Sequence, residues 1–139
     1  MSTANQTSEE ILHLVVPARA EFLSLVRLVV AAIASQAGFP DESVADIKVA
    51  LSEASTNVVR HAYQNACDDE VIEISCYEFA DRLSLEIIDH GRGMPVPPPP
   101  SEGLGLGIMG SLMDKVDVET GVTGTTVVME KSLTGSRSA

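Results

Sequence analysis

Val71-Ile-Glu-Ile-Ser-Cys-Tyr-Glu-Phe79 and Leu83-Ser-Leu-Glu-Ile-Ile-Asp89, separated only by Ala80-Asp81-Arg82, read as two strands joined by a tight turn. A connection this short forces the strands to pair antiparallel. Leu83, Leu85 and Ile87 alternate onto one face, the apolar one, and Asp89 completes the row at the strand end. A second hairpin is expected from Val116–Thr120 and Thr125–Lys131, and an earlier strand from Ile11–Val16, closed by Pro17.

Two helices are expected between the first strand and the first hairpin. Glu21 to Gln36 has helical periodicity and stops at Gly38-Phe39-Pro40. Asp41 is a candidate cap for the next helix, which runs to about Tyr63. A short helix is expected over Leu104–Met113. Grouped helices and hairpin strands imply an α+β chain: a two-layer sandwich with helices on one face of a mixed, mostly antiparallel sheet. The 139 residues suit one domain, expected over 11–132, with polar tails at 1–10 and 133–139.

Composition narrows the function. Net charge is −11, without the basic footprint that direct nucleic-acid binding needs. The longest apolar stretch, Leu23 to Ala34, is interrupted by Ser24 and Arg27 and is too short to span a bilayer, so a cytoplasmic protein is expected. Cys67 and Cys76 fit neither a zinc pattern nor a disulfide framework, and Cys76 falls on an apolar strand face.

On the second helix, Val44, Ile47, Leu51, Ala54, Val58 and Ala62 gather on one arc at about 3.6 residues per turn. Glu53, Asn57 and His61 follow at i, i+4 and i+8, a polar stripe beside that arc. Such a stripe is either an ordinary solvated flank or the wall of a pocket. In a pocket, Asn57 offers Mg²⁺ a side-chain carbonyl without adding charge near phosphates. Glu53 is then placed to take a proton from an attacking hydroxyl. His61, nearest the apolar arc, reads as a structural, hydrogen-bonded histidine.

Asp89 either caps its own turn or meets a ligand with hydrogen-bond donors, for which an adenine amino group is suited. Gly91 and Gly93 remove side chains where a base and ribose would approach. Gly103-Leu-Gly105-Leu-Gly107 lacks the preceding strand and the third glycine spacing of a dinucleotide fingerprint, because Pro97 to Pro100 stands before it. It reads instead as a glycine run entering a helix, whose free N–H groups suit phosphates.

In this order, Glu53-X-X-X-Asn57, Asp89-X-Gly91-X-Gly93, Gly103-X-Gly105-X-Gly107 and Gly124-Thr125 resemble the ATP-binding (Bergerat-type) fold shared by gyrase, the mismatch-repair protein MutL and bacterial histidine kinases. Ser52 to Tyr63 and Glu102 to Asp114 look like the anti-sigma-factor serine kinases. That resemblance implies Glu53 as catalytic base and Asn57 as magnesium ligand. It implies Asp89 on the adenine amino group with Gly91 and Gly93 beside it, and Gly103, Gly105 and Gly107 over the phosphates. Thr125 is the implied adenine support, with Thr126 the alternative. Arg27 matches an arginine that docks protein partners. ATP and Mg²⁺, a homodimer, a bound sigma factor and a serine substrate on a STAS-type anti-anti-sigma protein are all implied with it.

The chain departs from that family at two places. Between Gly93 and Gly103 it is short and proline-rich, and Ser101-Glu102 stands where related kinases carry an arginine. A stiff polyproline stretch and a missing cation bear on phosphoryl transfer more than on nucleotide binding. Three alternatives therefore stay open: a nucleotide-regulated partner-binding module without kinase activity, a stressosome-type serine kinase, and a detached histidine-kinase-like domain that phosphorylates histidine.

Overall fold

The computed structural model describes residues 8–62, 70–90, 110–121 and 124–133, the side chains of 58–62 and 120–121 excepted. The elements run β1 (Glu9–Pro17), α1 (Ala20–Gln36), α2 (Asp41–Ala62), β2 (Val71–Glu78), β3 (Arg82–Asp89), β4 (Lys115–Gly121) and β5 (Gly124–Ser132). β1 starts at Glu9, so the last two residues of the expected tail belong to a strand. The five strands form one sheet in the order β1-β2-β3-β5-β4. Each of these pairings is antiparallel. The α+β architecture is as the sequence indicates.

Alternation assigns the two faces. Opposed residues share a side, so Leu12, Leu14 and Val16 of β1 line up with Cys76, Ile74 and Ile72 of β2. The row continues through Leu85 and Ile87 of β3 to Met129 and Val127 of β5. These residues form the core with Val26, Val30 and Ala34 of α1 and Ile47, Ala50, Leu51 and Ala54 of α2. Val44, on the expected arc of α2, packs against that core half-buried. None of the described helices is long and apolar enough to cross a membrane.

The junction between the helices is tightly specified. Phe39 N–H bonds the Ala34 carbonyl and Gly38 N–H bonds that of Ser35, with Gly38 at φ +104°. This is a Schellman closure, in which glycine accepts the left-handed conformation and the residue after it, here buried Phe39, packs back on the helix. Pro40 then takes the capping position, because its carbonyl accepts the first intrahelical bond from Val44 N–H. Asp41, expected as the cap, is the first helical residue instead. There, with Glu42, it complements the positive end of the helix dipole.

Candidate functional site

Three polar side chains occupy one end of the seam between α2 and the sheet, where apolar residues would be expected. Asn57 is 6% exposed, Asp89 2% and Thr125 2%. Asp89 ends the core-face row of β3, following Leu83, Leu85 and Ile87. Thr125 begins the corresponding row of β5, ahead of Val127 and Met129. Ile88 pairs with Thr126, so Asp89 and Thr125 lie at the same end of neighbouring strands, on the same face. Thr126 points to the opposite face and is half-buried. Geometry thus distinguishes two threonines that the sequence left as alternatives.

Gly124 makes the closeness of these strands possible. A Cβ built on it would lie 2.1 Å from the Asp89 carbonyl oxygen and 3.1 Å from His90 Cα. Its φ of +135° is also one that other residues rarely adopt. Gly124 is quoted in the sequence motif, but its contact with the Asp89 backbone is not legible there.

Asn57 faces inward from α2, and its Nδ2 is fully enclosed with no hydrogen-bond partner among the described residues. An enclosed donor without an acceptor costs about 1–3 kcal/mol. Asp89 Oδ2 is enclosed as well, while the residue keeps other interactions. Glu53, one turn before Asn57, is half-buried on the same helix. The residues fit a nucleotide with its metal. A phosphate oxygen would satisfy Asn57 Nδ2, and the amide turned over would present its carbonyl to a hydrated cation.

Arg27 lies elsewhere. Its Nη1 donates to Ser52 Oγ at 2.7 Å, across the contact between α1 and α2. Arg27, Ser24, Ser52, Ser55 and Thr56 line a cleft of about 150 Å³ there. Beside it α1 exposes Leu25, Leu28 and Val29, an i, i+3, i+4 apolar stripe. Gly91, Gly93, Gly103, Gly105, Gly107 and the side chain of His61 lie outside the described residues, as does most of the short helix expected over 104–113.

A charged site at the far end of the core was missed by sequence reasoning. Lys131 is 1% exposed, and its Nζ donates to Asp46 Oδ2 at 3.3 Å and to the Leu112 carbonyl at 2.5 Å. A lysine continuing the row Thr125, Val127, Met129 was the available signal.

Comparison with known proteins identifies the family. Residues 16–131 match the histidine kinase-like ATPase domain. The serine-protein kinase RsbW of Bacillus velezensis is 35% identical, over 94% of this chain and 91% of its own. RsbW of Bacillus subtilis is 34% identical, over 95% of this chain and 91% of its own. A structure of the RsbU and RsbW domains of a Mycobacterium tuberculosis protein superposes with a TM-score of 0.71 over 88% of this chain and 32% of that one; at 23% identity it speaks to the fold. A blue-light activated histidine kinase of Erythrobacter litoralis gives 0.62 at 28% identity, over 73% of this chain and 34% of its own. The chain thus spans about a third of each of these two longer proteins. With its domain match and its near-full-length relatives in agreement, the chain belongs to the histidine kinase-like ATPase family, among the serine-protein kinases of the RsbW type.

Proposed function

We propose that this protein is an ATP-dependent anti-sigma factor that holds a sigma factor and phosphorylates a serine of a STAS-type anti-anti-sigma protein. The observation that carries the proposal is the burial of Asn57, Asp89 and Thr125 together at one end of a helix–sheet seam whose middle is filled by aliphatic side chains. Asp89 accepts the adenine amino group, and Thr125 supports the base from the adjacent strand. Asn57 would hold Mg²⁺, which when bound neutralises phosphate charge. Gly91, Gly93, Gly103, Gly105 and Gly107 keep their roles around base and phosphates as part of this proposal.

Glu53 acts as general base. It takes the proton of the attacking serine hydroxyl as the γ-phosphoryl group transfers to the serine oxygen and ADP leaves. Its half-buried position lets a partner's serine approach while the purine side stays enclosed. Partner docking is assigned to Arg27 with the neighbouring exposed Leu25, Leu28 and Val29. A homodimer would form along β1, an edge strand of the sheet that exposes Val15.

The test is incubation of the protein with labelled ATP, Mg²⁺ and a STAS-type anti-anti-sigma protein. Acid-stable phosphoserine that disappears with Glu53→Ala supports the kinase. A second reading, a clamp that exchanges partners on nucleotide binding alone, is favoured by the proline-rich stretch before Gly103 and the absence of an arginine there. Partner exchange unaltered by Glu53→Ala, with no phosphoserine formed, would establish that second reading instead.

A further inference from the structure

Lys131 ends the core-face row of β5 that Thr125 begins, six residues and roughly 20 Å away along the strand. A buried ammonium is costly unless it is both paired and hydrogen-bonded, and here it is both. Its two partners come from different parts of the chain. Asp46 lies on α2, about two turns upstream of Glu53. Leu112 follows Gly107 by five residues and ends a helical stretch at 110–112.

The chain around Leu112 is fixed by further bonds. Asp114 N–H donates to the Glu130 carbonyl at 2.9 Å, and Ser132 N–H to Asp114 Oδ2 at 2.5 Å. The Met113 side chain is buried in the core. Lys131 is therefore where α2, β5 and the segment following the glycine run are joined. A pair of apolar side chains of similar volume would fill the same space and leave only the Leu112 carbonyl without its donor. What apolar side chains cannot do is hold the Leu112 carbonyl and the Asp46 carboxylate in one fixed relation.

We propose that Lys131 is a positioning residue for the nucleotide's phosphates. By joining α2 to the segment at Leu112, it sets the helix carrying Glu53 and Asn57 in register with the chain that follows the glycine run. The proposal rests on the roles given above to Glu53 and Asn57. Because the link runs through α2, which carries Glu53 and Asn57, whereas Asp89 and Thr125 are carried by the paired strands β3 and β5, Lys131 should govern discrimination at the γ-phosphate and leave purine recognition alone.

Calorimetric titrations of ADP and of the non-hydrolysable analogue adenylyl imidodiphosphate, both with Mg²⁺, test this on wild type, Lys131→Met, Lys131→Arg and the double variant Asp46→Leu with Lys131→Met. The double variant replaces the ion pair with apolar side chains, so it carries the test if Lys131→Met alone does not fold. The expected result is ADP affinity within about threefold of wild type and triphosphate affinity lower by about tenfold, the scale of one weakened hydrogen bond to a charged group. Lys131→Arg should restore part of that loss. Equal changes for both nucleotides, or no change in a double variant with wild-type thermal stability, would reduce Lys131 to a structural residue and overturn the proposal. If wild type binds neither nucleotide, the site reading itself falls, and the proposal with it.

Discussion

The two ends of the helix–sheet seam make the most informative contrast in the molecule. Both bury polar groups on the core face of β5, Thr125 at its start and Lys131 near its end, with Val127 and Met129 between. At the Lys131 end the charge is answered from within the chain, by Asp46 and the Leu112 carbonyl. At the Thr125 end, Asn57 Nδ2 is enclosed yet has no partner among the described residues. Burial alone therefore does not mark a binding site. A polar group satisfied internally holds the fold together, and the enclosed, unpartnered Asn57 Nδ2 is what supports the proposed ligand site.

The contrast breaks most visibly at the paired end. Lys131→Met strands Asp46 and the Leu112 carbonyl, and should cost about 3–5 kcal/mol in chemical denaturation. Gly124→Ala comes next. Its methyl would meet the Asp89 backbone, so a loss of about 1–3 kcal/mol is expected, together with weaker ATP binding because Asp89 must shift. Asn57→Ala sharpens the comparison from the other side. It removes an unsatisfied donor, so thermal stability should change by less than about 1 kcal/mol while phosphoryl transfer is lost.

The smallest effect lies away from both ends. Burial, reinforced by Glu78, pushes the Cys76 thiol up to about 12. The folded state then holds this proton more tightly than the unfolded chain, whose thiol titrates near about 8.5. Stability is intact below that value and is lost as pH rises from there toward about 12. Mass spectrometry after iodoacetamide treatment at neutral pH should find native Cys76 unmodified. Cys76→Ser should flatten the alkaline decline in stability.

Much of this was legible in the sequence because it is local. Alternation and a tight turn specify the β2–β3 hairpin, and Gly38-Phe39-Pro40 specifies the end of α1. The start of α2 was displaced by one residue, because Asp41 is a strong capping type but the Pro40 carbonyl occupies the capping position. The neighbouring of β3 and β5 was not legible, since no turn connects them. Thr125 and Thr126 separated only once register with β3 assigned their faces. The partners of Lys131 and Arg27 also stayed hidden, because Asp46 lies 85 residues from the first and Ser52 lies 25 from the second. Sequence patterns state which side chains are out of place in a core; only the fold states what answers them.

Calorimetric titration of ATP with Mg²⁺ into wild type and Asp89→Ala decides whether the buried carboxylate holds the purine. Wild type should bind, and the variant should lose at least about 100-fold in affinity with its fold retained by circular dichroism. Equal binding by the two proteins, or no binding by wild type, would contradict that role.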